Sequence, residues 1–263
     1  MNAKPFPALF ISHGSPLMAT DNSDTAHFLA TLGRQLPKPD AILVFSAHFD
    51  IDAEVVVTGN ENPTAIHDFY GFPEELYQLD YPAPGAPELA KRITSTLVEG
   101  GIRARLDPQQ GWDHGVWIPL RLLYPQANIP VVQVSISTQS GPEFNQKLGK
   151  LLAALRNERV LFIGSGGASH NLAEYFTPSP SPDRAEKVNS FTQWVDEQLE
   201  HGHHQALLNY QTLAPELSFN HPTQEHFTPL FPIIGSSTNH KAFCLHRAID
   251  NEVLAMNAYL FEQ

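Results

Sequence analysis

Short apolar runs alternating with amphipathic stretches set the rhythm of this chain. Runs at Ala8–Ile11, Ala41–Ser46, Glu54–Thr58, Pro130–Ile136, Arg159–Ile163 and Lys241–Leu245 read as strands. The continuous ones, such as Ala8-Leu9-Phe10-Ile11 between Pro7 and Gly14, have the pattern of strands covered on both faces. Between them the spacing predicts helices over Ser23–Leu36, Ala86–Val98, Gly141–Leu155, Arg184–Glu200 and Asp250–Phe261. The first opens on Asn22-Ser23-Asp24, a good N-cap context, and puts Phe28, Leu29 and Leu32 on one side. The second carries Leu89, Ile93 and Leu97 four residues apart and stops at Gly100-Gly101.

This alternation predicts an α/β fold. We expect one domain over residues 1–263, with a central, mostly parallel or mixed sheet flanked by helices. Thr177–Asp183, with its alternating serines and prolines, reads as an exposed loop inside that domain. In such folds, ligands bind beyond the carboxyl ends of the strands. Histidines recur there: His13 follows the first run, His48 the second, and His170 lies beyond the Gly164–Gly167 turn that ends the fifth. Strand-end imidazoles are rigidly held neutral donors and suit a metal. Two further histidines have unusual neighbours. His114 sits in Gly111–Trp117 between two tryptophans, and His226 lies beside Glu225 in the proline-flanked segment His221–Leu230. His67 belongs to a long aromatic, proline-rich passage that reads as an ordered functional loop. The Gly164–Gly167 turn matches neither a Walker motif nor G-x-G-x-x-G, and falls short of G-x-S-x-G, so nucleotide binding and serine hydrolysis are disfavoured.

Composition narrows the partners. The 263 residues include 28 acidic and 16 basic side chains, a net charge of -12, which disfavours nucleic acid and anionic membranes. Cys244 is the single cysteine, so no intrachain disulfide forms. The first residues lack a signal-peptide pattern and no apolar run is long enough to span a bilayer, so the expectation is a cytoplasmic protein. The 13 histidines matter because so many fall at strand ends and turns.

The motifs, taken in order, resemble a known family. His13-Gly-Ser-Pro, Ser46-Ala-His48, Ile66–Pro73 (IHDFYGFP), Tyr81–Gly85 (YPAPG), Gly111–Gly115 (GWDHG), Ala168–Leu172 (ASHNL) and Thr223–Leu230 (TQEHFTPL) look like the class III, LigB-like extradiol ring-cleavage dioxygenases. The similarity is narrower still to their 4,5-DOPA branch, and it spans nearly the whole chain. It implies one divalent metal at the sheet rim held by His13, His48 and His226. His170 would be a fourth ligand or an acid/base, and His114 a catalytic proton-handling histidine. Glu225 would replace His226 if the site followed the two-histidine, one-carboxylate pattern. It further implies Fe(II) for activity or Zn(II) as purified, with O2 as co-substrate and a small catechol as substrate. Oligomeric state stays open. A zinc hydrolase using a metal-bound hydroxide, or a noncatalytic metal-binding protein, would use the same histidines. Arg121, Lys241 and Arg247 are candidates to meet a substrate carboxylate.

Overall fold

The computed structural model of the protein describes residues 5–261. Ten strands lie along the chain: β1 (Ala8–Ser12), β2 (Ala41–Ser46), β3 (Val55–Thr58), β4 (Ala104–Asp107), β5 (Val131–Gln133), β6 (Val160–Gly166), β7 (Phe243–His246), β8 (Ile249–Asp250), β9 (Leu254–Ala255) and β10 (Ala258–Phe261). The helices are α1 (Asp24–Gln35), α2 (Pro87–Glu99), α3 (His114–Leu123), α4 (Gly141–Leu152), α5 (Leu172–Phe176), α6 (Arg184–His201), α7 (His204–Leu208), α8 (Tyr210–Leu213), α9 (Leu217–Asn220) and α10 (Leu230–Ser236). Six strands form the central sheet in the order β5-β2-β6-β1-β10-β7. β5, β2, β6 and β1 are mutually parallel, whereas β10 runs antiparallel to both β1 and β7, so the sheet is mixed.

The continuous apolar runs are explained by cover on both faces. Phe10, Leu43, Phe45 and Phe162 point into a core closed by α2, α4, α6 and α10 through residues such as Ile93, Leu148, Phe191 and Ile234. Their neighbours Leu9, Ile11, Ile42, Val44, Leu161 and Ile163 point the other way, against Leu29 and Leu32 of α1 and Trp117 and Leu120 of α3. The result is a three-layer, single-domain α/β fold. Each such side chain contributes about 1.5–3 kcal/mol on burial. Ser23 caps α1 through a hydrogen bond accepted from Ala26 N, as its sequence context predicts. Among the described residues no helix is long and apolar enough to cross a membrane.

Two expectations need correction. Asp250–Phe261 is not a helix; it holds β8, β9 and β10. Asn251 and Glu252 turn the chain in the left-handed region, and β10 then fills the slot between β1 and β7, where both of its edges are paired. The tertiary slot overrides the helix propensity of Leu254, Ala255 and Met256. The Gly141–Leu155 helix ends earlier, at Leu152, and continues as a 3-10 turn over Ala153–Glu158. Thr177–Asp183 is irregular and largely exposed, as expected.

Arg156, in that 3-10 turn, is almost fully buried and ties three distant segments together. Its guanidinium donates to the carbonyls of Phe6 (2.7 Å), Ser236 (2.7 Å) and Phe261 (2.9 Å). Burial lowers its pKa to about 10, so it stays charged. Arg156→Met would leave three buried carbonyls unsatisfied and should cost about 3 kcal/mol or more, read as a lower urea midpoint at unchanged slope.

Candidate metal centre and active site

The parallel pairing of three strands decides where the site forms. Ser12 of β1 pairs with Gly166 of β6, and Ser46 of β2 pairs with Ser165, so the carboxyl ends of all three lie level. His13 leaves β1 directly at that level, and His48 follows β2 by two residues. His226 comes from the far side of the chain and is seated by glycines of β6. Its carbonyl accepts from Gly167 N at 2.9 Å, and a Cβ on Gly166 would stand 2.1 Å from that oxygen. The glycine-rich turn is therefore a seat for the His226 segment, and only glycine fits there. Gly115 does the same for α3, since a Cβ there would come within 2.5 Å of Ser46 Oγ and 3.2 Å of His13 Nδ1. His114, the first residue of α3, is thereby pressed against the same cluster, its ring 3.9 Å from His48 and 5.3 Å from His13 between centroids.

The hydrogen bonds fix where the protons sit. Ser165 has one hydroxyl proton and donates it to the Gly115 carbonyl, so it accepts from His13 Nδ1 at 3.0 Å. His226 Nδ1 donates to Glu225 Oε1 at 3.0 Å, and His48 Nδ1 faces Asp68 Oδ2 at 3.5 Å. The neutral rings of His13 and His226 are thus left with a bare Nε2. The Nε2 atoms of His13 and His48 face each other at 3.1 Å. Lone pairs so placed repel unless a cation or a proton lies between them. Burial, reinforced by the other imidazoles, holds His13 and His226 well below the ordinary histidine range and His48 at about 3, so the rings stay neutral and the bridge is either the Nε2–H of one neutral ring or a cation in place of that proton. Ligand atoms of His13, His48 and His226 all lie within 4.8 Å of one another. Neutral imidazoles with the second nitrogen held by a hydrogen-bond acceptor suit a divalent metal ion.

Around this trio lie further groups. Asp68 Oδ1 accepts from His114 Nδ1 at 2.9 Å and from its backbone N at 3.0 Å. Burial would raise the Asp68 pKa, but the bonds from His114 prevail and hold it below the usual value. The His170 ring stacks face to face on that of His226, centroids 3.4 Å apart and planes 7° from parallel. Burial lowers its pKa to about 4, which keeps it neutral near pH 7. Beneath the cluster, Asp113 is buried, accepts from Ser46 Oγ at 2.6 Å and from Gln133 Nε2, and is pushed up to about 6 by desolvation. Phe69, with its ring 5.7 Å from His114, forms an aromatic wall with Trp117 and Tyr77.

All five histidines singled out by their sequence context, His13, His48, His114, His170 and His226, are thus brought together. His67 is not among them. Its Nε2 donates to the Leu79 carbonyl at 3.0 Å and its ring packs on Phe69, Tyr77 and Trp117, behind the wall. Arg247 is taken up by Asp196 and Arg121 reaches the Asp80 carbonyl, while Lys241 is exposed. Asp68, Ser165 and Asp113 were not singled out by sequence. Asp68 sits beside His67 in an irregular loop with no periodicity to mark it, and Ser165 and Asp113 are neighbours of glycines and histidines that drew attention instead. His221 was also passed over. It is buried, donates from Nε2 to the Ala168 carbonyl, and is lowered to about 4 by desolvation.

Known proteins are similar to this chain over nearly its whole length. The chain is 41% identical over 257 residues to a 4,5-DOPA dioxygenase extradiol of Beta vulgaris, covering 96% of this chain and 95% of that one. It is 39% identical over 260 residues to the protein of the same name from Portulaca grandiflora, covering 97% and 95%. A crystal structure of an uncharacterized Escherichia coli K12 protein, 32% identical, superposes with a TM-score of 0.78 over 97% of this chain and 99% of that chain. Residues 7–261 match the family described as the catalytic LigB subunit of aromatic ring-opening dioxygenase. With the whole fold and the histidine cluster inside that match, the chain belongs to the LigB family of aromatic ring-opening dioxygenases.

Proposed function

We propose that this protein is a metal-dependent extradiol dioxygenase that opens the ring of a catechol of the DOPA type with O2, giving a muconic semialdehyde. The observation that carries this reading is the convergence of His13, His48 and His226, whose ligand atoms lie within 4.8 Å of one another with the Nδ1 atoms of His13 and His226 held by acceptors, in a chain of this family. His13, His48 and His226 would hold the metal. Glu225 would then orient His226, its Oε1 accepting from His226 Nδ1 and from Thr223 Oγ1. We assign His170 to proton handling. Its ring, stacked on that of His226, would stand beside the held metal and supply an acid/base group there.

When bound, Fe(II) supplies coordination of the catechol oxygens and electron transfer to dioxygen, which Zn(II) cannot supply. The residues do the rest. His114 donates its Nδ1 proton to Asp68, so its Nε2 is free to take a phenolic proton. His170 is kept neutral by burial and can accept a second proton or return one as the ring opens. The Phe69, Tyr77 and Trp117 wall offers the flat apolar surface that an aromatic ring packs against and limits water at the reacting face.

Metal-stripped protein reloaded anaerobically with Fe(II), then given L-DOPA and air, should consume oxygen and form a yellow product in the same cuvette. Bound iron with no uptake across a panel of catechols would sink the reading; hydrolytic turnover by zinc-loaded protein would replace it. His13→Ala and His48→Ala should lose the metal, measured by elemental analysis. His114→Ala should keep it while turnover falls by roughly 10²–10⁴.

Acid should destabilise the metal-free protein. The unfolded chain binds protons at histidines below about 6.5, whereas the folded chain keeps His170 and His221 neutral to about 4 and His48 to about 3. Stability is therefore lost as pH falls through 6.5 toward 4, by about 1.4 kcal/mol per pH unit for each proton excluded. A urea midpoint unchanged between pH 7.5 and 5 would contradict it.

A further inference from the structure

We infer that Asp68 is a positioning residue that fixes the proton placement of His48 and His114 with one carboxylate, so that metal holding and proton transfer share a single support. The inference rests on the ring-opening reading for its catalytic half and on geometry alone for its metal half. One oxygen of Asp68 accepts from the ring Nδ1 of His114 at 2.9 Å and from its backbone N at 3.0 Å. The other faces His48 Nδ1 at 3.5 Å. The two rings lie 3.9 Å apart between centroids. The hydrogen bond fixes the His114 proton on Nδ1, and the carboxylate charge facing His48 Nδ1 favours the same tautomer there, which leaves one Nε2 for the metal and one for a substrate proton. If either ring moved its proton to Nε2, it would present an N–H where a lone pair is needed.

An amide cannot serve both rings. In Asp68→Asn the single oxygen is claimed by the two His114 donors, and the NH2 group then faces His48 Nδ1. His48 must answer with a lone pair there and move its proton to Nε2, the nitrogen that faces His13. The substitution therefore strikes the metal half first. Asp68→Ala releases both rings and strikes both halves.

The same three residues also compose a two-histidine, one-carboxylate set whose ligand atoms lie within 4.8 Å, so a second cation is the competing explanation. Two observations favour the positioning role. Asp68 Oδ1 already carries a backbone N–H, which a metal would have to displace. And His48 would have to serve two cations at once, since its Nε2 faces His13 while its Nδ1 faces Asp68.

The test titrates the full-length metal-free protein with Co(II) against a chelator, following the visible d–d bands, for wild type, Asp68→Asn, Asp68→Glu and Asp68→Ala. We expect one Co(II) per chain, affinity weakened 10–100-fold in Asp68→Asn with altered bands, and most of it restored in Asp68→Glu. In the Fe(II)-saturated Asp68→Ala enzyme, kcat should fall at least tenfold with KM much less changed. Wild-type Co(II) affinity in Asp68→Asn overturns the inference, as does a second Co(II) per chain that this substitution abolishes. Should Asp68→Asn not fold, wild-type affinity in a folded Asp68→Ala overturns it equally. An iron-loaded wild type inert toward catechols would instead refute the ring-opening reading and leave the Co(II) result standing.

Discussion

The site depends on one constraint, the level registration of three parallel strands. Pairing Ser12 with Gly166 and Ser46 with Ser165 brings two histidines, distant in sequence, to one rim with their backbones held on both sides. A one-residue slip in either ladder would turn the affected strand's side chains to the opposite face and carry its histidine out of the cluster. The slip is prevented by the two cores, since every residue of β1, β2 and β6 is buried and each face has its own set of partners. Precision at the metal centre is thus inherited from hydrophobic packing well away from it.

The second condition is electrostatic. Imidazoles crowded in one pocket would repel one another if charged, and burial keeps His13, His48, His170 and His226 from charging. Around them stand two carboxylates, Asp68 and Glu225, each directed at an Nδ1 and neither at the bare nitrogens. In the proposed site, negative charge would thereby be held one ring away from a cation on His13, His48 and His226, which would retain its full charge toward a bound diol. A ligand set containing a carboxylate would neutralise part of it.

Much of this could be read in the residues themselves. Short apolar runs ending in His13 and His48 announced both the strands and the rim, because burial on two faces leaves a continuous apolar signature and a strand end leaves a polar one. The chain between His204 and Ser236 was opaque, since its four short helices have little periodicity of their own and are set by packing, α10 on α4 and β6, α7 and α9 on α6. Leu254–Phe261 misled for the opposite reason: its residues suit a helix, and only the vacancy beside β1 makes it a strand. Asp68 and Ser165 were hidden because nothing about a carboxylate in a loop, or a serine between glycines, says that its partner is an imidazole 46 or 152 positions distant.

The position of β10 also bears on the order of synthesis. β1 is flanked by β6 and β10, which are made about 150 and 250 residues later. While the chain grows, the segment that carries His13 has no sheet to join, and its apolar run stays exposed until residues 160–166 and then 258–261 have emerged. His226 likewise arrives late. A site built from His13, His48 and His226 could therefore not form piecemeal on a nascent chain, and a cation held by all three would report that the sheet has closed around β1.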